Sequence, residues 1–581
     1  MRISSIRAFY ASLLVIAALA VPKSVVRAQI PAGPFIHEAP SAKNAMVASQ
    51  HEIASQIGVD VLRRGGNAVD AAIAVGIALA VVYPEAGNIG GGGFMLIRFP
   101  DGRTTAIDYR ERAPKAATER MFLNDKGDPI RGEGSSTVGY RASGVPGTLA
   151  GFDMAFKKYG SGKIKWRDLV KPSREVAQRG FKLSKRFADL FVEYKERMKP
   201  YADSERVFLN GGRYLKEGEL LRQPELAATL SRIERAGASE FYRGRTARMI
   251  ASDMKANNGL ITEADLRDYR PVERTPLVGE YRGHKIITMP PPSSGGVVML
   301  QTLNMLEAFD MASMDPASPE RWHLVIESMK RAFADRAEYA GDPDHADIPT
   351  SWLISKDYAA KRRATIDTAK ATPSSAIKYG NQTPDGSMDT THYTVVDKDG
   401  IVVSNTYTIN DLFGSGVTIK GTGILMNDEM DDFTTAPGRP NLFELIQGER
   451  NIIKPGKRPL SSMTPTIVLT KDGKPWFAVG ARGGPRIITA VTQTVINMID
   501  HKMDLREAMD FPRAHHQWLP DSVRWEPVGL LDRTRAELTA KGHNLIANPG
   551  YVASAIGIMI RNDGQRVGVI DRRSDGKAIG Y

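Results

Sequence analysis

The sequence predicts an α+β fold, and three observations predict it. An Ala-rich stretch over residues 48–82, with few breakers besides Gly65-Gly66, reads as one or two packed helices. Two pairs of β-forming runs, each pair joined by a short turn ending in Asp-Gly, read as hairpins. A helical stretch over residues 486–499 follows the second hairpin at once.

The elements can be justified in chain order. Arg2 and Arg7 open the chain, residues 9–21 form an apolar run, and Val26-Arg27-Ala28 supplies a small–x–small site. That three-part pattern is a secretory leader cut after Ala28, because the run is short for a membrane span and Pro22 follows it. The second apolar stretch, residues 71–83, is also short and reads as a buried helix. Asn88-Ile89-Gly90-Gly91-Gly92-Gly93-Phe94 is a glycine loop leading into a strand at residues 95–99. No Gly-Lys-Ser/Thr follows, so close backbone packing explains the loop better than phosphate binding. Residues 160–275 are charged and helical in tone. Pro290-Pro291-Pro292-Ser293-Ser294-Gly295-Gly296 is a rigid turn before a helix at 297–308.

Residues 369–389 are polar and rich in Thr, Ser, Pro and Gly, which predicts an exposed, mobile segment. It gives way to Thr390-Thr391-His392-Tyr393-Thr394-Val395-Val396, a turn at Asp397-Lys398-Asp399-Gly400, and a second strand at 401–409. A turn centred between Lys398 and Asp399 sets Thr390 opposite Tyr407 and beside Thr408, with Asn410 close by; a bulge would shift this by one residue. The second hairpin runs from 464 to 479 through Lys471-Asp472-Gly473. Pro485 then suits a helix start, where its missing N–H costs nothing.

Composition narrows the function. The 581 residues are 42% hydrophobic and 25% charged, as in ordinary globular proteins. The formal charge is +12, and four of the positive charges (Arg2, Arg7, Lys23 and Arg27) lie in the acid-free leader. No basic stripe with interleaved aromatics points to nucleic acid. The absence of cysteine removes disulfides, thiolate metal sites and cysteine nucleophiles. His515 and His516 are adjacent, which is poor spacing for one metal site, so they read as structural.

The run from Thr390 to Asp397 resembles the start of the small subunit of γ-glutamyltranspeptidases. So do Asn67-Ala68-Val69-Asp70-Ala71-Ala72, the 88–94 loop, Arg110-Glu111-Arg112-Ala113-Pro114, Ser143-Gly144-Val145-Pro146-Gly147, Glu429-Met430-Asp431-Asp432-Phe433, Pro459-Leu460-Ser461-Ser462-Met463 and Gly483-Gly484. Each is weak alone, but their shared order and spacing is specific. The resemblance implies a four-layer αββα sandwich of the N-terminal-nucleophile hydrolase type. It implies a precursor cut between Asp389 and Thr390 into a large chain (29–389) and a small chain (390–581) that stay associated as a heterodimer. Thr390 would be the nucleophile: a threonine hydroxyl is poor alone, but its freed α-amine, of pKa about 8, is a base on the same residue.

The resemblance also assigns the substrate groups. Arg110, with Ser461 and Ser462, would hold the donor α-carboxylate. Glu429, Asp432 and Asn410 would receive the α-ammonium. Gly483 and Gly484, at a helix start, suit an oxyanion hole. Taken singly, Arg110 reads by default as a surface ion pair, Glu429 and Asp432 as a solvated turn and the serines as backbone caps, while Gly483-Gly484 is a tight turn with or without the chemistry. One departure is Phe443, which stands in the lid segment where the family often has a tyrosine. The implied activity is cleavage of glutathione and other γ-glutamyl compounds, with transfer to water, amino acids or peptides, in the periplasm or outside the cell. It involves no cofactor, metal or nucleic acid. The rivals are a glutaryl or cephalosporin acylase, which needs no ammonium clamp, and an inactive secreted binding homologue.

Overall fold

A computed structural model describes residues 39–378, 390–436, 438–526, 529–548 and 550–581. The leader and Asp389 lie outside the described residues.

Two seven-stranded antiparallel sheets form the centre. The first runs Lys577–Gly580, Met46–Ser49, Thr391–Val396, Val402–Thr408, Gly92–Arg98, Thr104–Asp108, Val272–Arg274. The second runs Ser41–Ala42, Arg566–Ile570, Ser554–Ile560, Pro475–Arg482, Thr466–Leu469, His284–Thr288, Leu277–Tyr281. The period-2 alternation of a strand sends its side chains to two different cores. Met95, Ile97, Tyr393, Val395, Val403 and Tyr407 pack into a cluster with the helix Ala68–Val82. Phe94, Leu96, Val396 and Val402 join a second cluster with Ile467 and Val479 of the other sheet and with the helices Gly295–Leu306 and Arg486–Ile499 beyond it. The layers are therefore helix, sheet, sheet, helix, the αββα sandwich expected.

The helix at 71–83 is buried as expected: all fifteen residues of Ala68–Val82 are buried. It starts at a capping box, in which the Asn67 side chain accepts the Val69 and Asp70 N–H groups at 3.0 Å each and Asp70 accepts the Asn67 N–H at 3.1 Å. Asp397 of the hairpin turn accepts the Ala68 N–H at 2.8 Å and so docks that turn onto the helix start.

The register differs from expectation by one residue. Thr391, not Thr390, pairs with Tyr407, so Thr390 lies across from Thr408. The loop has three residues, Lys398-Asp399-Gly400, with Gly400 at φ +89°, closed by Asp397, whose side chain accepts the Asp399 and Ile401 N–H groups at 3.0 and 2.9 Å. A three-residue loop with glycine in the left-handed region is a standard hairpin alternative, and it adds the extra residue. On the face between the sheets, His392 accepts or donates to Thr406 and Thr394 at 2.8 and 3.0 Å, and a Cβ at Gly480 would come within 2.3 Å of its ring.

The segment before the cleavage region also differs in part. Ser374 and Ile377 are buried, and the Trp518 indole N–H reaches the carbonyls of Ser374 and Ile377 at 3.0 and 3.2 Å. Two of its backbone groups also find side-chain partners: the Ser374 N–H donates to Asp521 at 2.7 Å and the Thr372 N–H to Glu327 at 3.2 Å. Residues 379–389 lie outside the described residues.

Candidate functional site

Thr390 sits at the mouth of the space between the sheets, just before the Thr391–Val396 strand, and is 4% exposed. Its Oγ1 lies 3.3 Å from Oγ1 of Thr408. The glycine loop sets that neighbour. A Cβ at Gly91 would meet the Thr408 carbonyl at 2.1 Å, and the Asn88 amide donates to the same carbonyl at 2.8 Å. The close-packing role expected of the loop is what the structure contains. Asn410, at φ +77°, turns back so that its N–H donates to Thr408 Oγ1 at 2.8 Å, while its side-chain amide donates to the Asp428 carbonyl at 3.1 Å.

A small cavity of about 20 Å³ opens beside Thr390. Its walls include Thr408, Asn410, Arg110, Glu429, Asp432, Ser461, Ser462 and Gly484, together with Phe443, Met463 and Ile487. Of the predicted site residues that are described, only Gly483 is not among its walls, and Asp389 lies outside the described residues. Gly483 is the next residue along, at φ +131°, with Gly484 at φ +54°. No described residue accepts a hydrogen bond from the N–H of either glycine. Pro485 and the Arg486–Ile499 helix follow as read from the sequence.

Arg110 is buried rather than in a surface ion pair. Its Nη1 bonds Glu429 and its Nη2 bonds Asp432, its Nη2 and Nε also donate to the carbonyls of Leu460 (3.0 Å) and Pro459 (3.3 Å), and Glu111 stands 3.6 Å away. Glu429–Asp432 is a buried 3₁₀ turn, not a solvated one. Burial works against the Arg110 charge, but Glu429, Asp432 and Glu111 outweigh it and hold its pKa above the ordinary guanidinium value. Three wholly buried carboxylates around one guanidinium cannot all ionise cheaply. Burial raises Glu429 well above the usual carboxylate range, raises Asp432, and pushes Glu111 up to about 7.

Ser461 and Ser462 are placed by the rigid 290–294 turn. The Ser461 N–H donates to the Pro292 carbonyl at 2.9 Å, and the Ser294 N–H and hydroxyl return to the Ser461 carbonyl at 2.8 and 2.7 Å. The lid segment is anchored on the acidic turn: Leu442 N–H donates to Asp431 at 2.7 Å and the Asn441 amide to Asp432 at 3.3 Å. Phe443 is buried against the cavity, its carbonyl held by Gln517 at 2.9 Å. Phe443 thus turns a ring with no hydroxyl to the cavity. His515 bonds Thr489 and Gln517, and His516 bonds Asp521. Among the described residues no cluster of His, Asp and Glu is arranged to hold a metal ion.

The sequence pattern described as Gamma-glutamyltranspeptidase matches residues 54–581. The chain belongs to the γ-glutamyltranspeptidase family. A relative in that family, the glutathione hydrolase proenzyme of Escherichia coli (strain K12), is 48% identical over 542 residues, covering 93% of this chain and 92% of the relative. The crystal structure of cephalosporin acylase from Bacillus halodurans superposes with a TM-score of 0.83 at 27% identity, over 98% of this chain and 99% of that one. The γ-glutamyltranspeptidase of Helicobacter pylori gives 0.56 at 44% identity, over 60% of this chain and 97% of that chain. Both kinds of neighbour share the architecture, so fold alone does not decide the substrate.

Sequence reading passed over three members of the site. Glu111 lies inside a quoted motif but carried no role. Asn441 and Arg336 reach the clamp only through tertiary contacts. No local spacing signals either one.

Proposed function

We propose that this chain is a γ-glutamyltransferase and glutathione hydrolase that matures by cutting itself between Asp389 and Thr390. The observation that carries the reading is a single cavity shared by the Thr390–Thr408 hydroxyl pair and by Arg110, Glu429, Asp432, Ser461 and Ser462. In maturation the Thr390 hydroxyl attacks the Asp389 carbonyl, the peptide becomes an ester, and water releases chains 29–389 and 390–581, which remain one heterodimeric unit. The core supports that association, since strands 46–49 and 92–98 of the first chain flank strands 391–396 and 402–408 of the second.

In turnover the freed Thr390 amine takes the hydroxyl proton as Oγ attacks the γ-carbonyl. The Gly483 and Gly484 N–H groups receive the oxyanion. The carbon–nitrogen bond breaks, the leaving amine takes the proton, and a γ-glutamyl ester remains. Water then releases glutamate, or an amino acid or peptide carries the γ-glutamyl group away. Arg110, Ser461 and Ser462 take the α-carboxylate; Glu429, Asp432 and Asn410 take the α-ammonium, whose arrival favours the ionised form of the two carboxyls. The leader assigns the enzyme to the periplasm or beyond. Among the described residues no helix is long and apolar enough to cross a membrane.

The test compares amine release from a γ-glutamyl anilide and a glutaryl anilide by the mature protein, with Thr390→Ala as blank. Cleavage of the γ-glutamyl compound alone, lost in a Glu429→Ala/Asp432→Ala double variant, is the expected result. Preference for the glutaryl compound would make the protein an acylase on the same scaffold.

A further inference from the structure

The Pro319–Tyr339 helix brings Arg336 to the back of the same cavity wall. The residue is 4% exposed and forms no ion pair within 4.0 Å among the described residues. Its Nε donates to Ser294 Oγ at 2.8 Å, its Nη2 to Ser462 Oγ at 3.4 Å, and its Nη1 has no acceptor among the described residues. Burial lowers its pKa to about 10, offset in part by Asp432, so it stays charged at neutral pH. A buried cation left with open donor capacity is costly and calls for an anion.

Two arguments say which anion. The first is the direction of a proton. A guanidinium only donates, so Ser462 Oγ accepts from Arg336, and the Ser462 hydrogen must point to another acceptor. The second is charge. Arg110 is already bonded to Glu429 and Asp432 with Glu111 behind it, so its charge is engaged by those carboxylates. Arg336 acts on Asp432 through its charge alone, and no carboxylate is in contact with it among the described residues.

Resting on the reading of this cavity as the γ-glutamyl donor site, we infer that Arg336 is a positioning residue for the donor α-carboxylate: it turns the Ser462 hydroxyl toward that carboxylate and supplies a second positive charge behind it. Arg336 also bonds Ser294, which holds the Ser461 carbonyl, so one guanidinium fixes both serines.

The experiment measures kcat and KM on a γ-glutamyl anilide and on the same compound with its α-carboxylate converted to a carboxamide. Wild type, Arg336→Gln, Ser462→Ala and the double variant are compared after gel confirmation that each has matured. Wild type should favour the acid. Arg336→Gln should raise KM for the acid about tenfold or more, change kcat by less than about threefold, and leave the carboxamide kinetics unchanged. The double variant should lose less than the product of the single losses, because both act on one contact. Equal losses on acid and carboxamide, or multiplying losses, would reduce Arg336 to a structural role and overturn the inference. A wild type blind to the α-carboxylate would instead overturn the donor-site reading itself. Should Arg336→Gln fail to mature, Arg336→Lys serves, since one ammonium cannot span Ser294 and Ser462; acid-selective loss supports the inference and unselective loss overturns it.

Discussion

The Thr408 hydroxyl lies 3.3 Å from the Thr390 hydroxyl while accepting the Asn410 backbone N–H at 2.8 Å. The Asn410 bond fixes the Thr408 oxygen beside Thr390, where its hydroxyl supports the negative charge that develops on Thr390. Thr408→Val keeps the shape, removes the hydroxyl and strands the Asn410 N–H. Initial rates of the mature variant should show kcat reduced about 10–100-fold, roughly 1.4–2.7 kcal/mol. Thr408→Ser should stay within about threefold. A valine variant with wild-type kcat would remove Thr408 from the reaction.

Thr390→Ala should remain a single chain on a denaturing gel and turn over nothing above the uncatalysed rate, a loss of about 10⁴-fold or more. Thr390→Ser keeps an oxygen and should still cut itself. Two chains from the alanine variant would mean that cleavage lies elsewhere or needs another protein.

Glu111 sets a pH dependence of stability. Its folded pKa is about 7 against 4.5 for an ordinary carboxyl, raised chiefly by burial. Below about pH 4.5 it is protonated folded and unfolded, and its contribution is fully present. Between about 4.5 and 7 only the folded chain keeps the proton, so stability falls as pH rises, by up to about 1.4 kcal/mol per unit. Above 7 the loss levels off. Chemical denaturation across this range should show Glu111→Gln with a shallower decline than wild type. Parallel curves would mean that another carboxylate of the cluster holds the proton.

Gly480 tests the packing between the sheets. An added Cβ would stand 2.3 Å from His392 Nδ1, and that ring is pinned by Thr406 and Thr394. Gly480→Ala should destabilise by about 1–3 kcal/mol, seen as a lower Tm. An unchanged Tm would show that the His392 ring can move aside.

Much of this site was legible in the sequence because its parts are contiguous motifs. The Thr390 run opens a readable strand, Ser461-Ser462 precede another and Gly483-Gly484 lie between a strand and a helix, whereas Asp431-Asp432-Phe433 was legible as a motif alone. The helix at Arg486–Ile499 and the buried Ala68–Val82 helix follow from apolar runs and caps that act locally. The hairpin register was missed by one residue, because Asp397-Lys398-Asp399-Gly400 permits both a two-residue and a three-residue loop. The side chain of Asp397, docked on Ala68, closes the longer one. The packing of Ser374 and Ile377 was missed because their partners, Asp521 and Trp518, lie far along the chain.

By itself the sequence determined the family, the elements and the residue types of the clamp, since periodicity, turn chemistry and motif order are local properties. Only the tertiary structure decided that Arg110 is held between Glu429 and Asp432, that Glu111 shares their charge, and that Arg336 stands behind Ser462. Those relationships depend on distance and burial. Electrostatic energy is set by how far apart charges lie and how little water is between them, and neither is written in the spacing of residues along a chain.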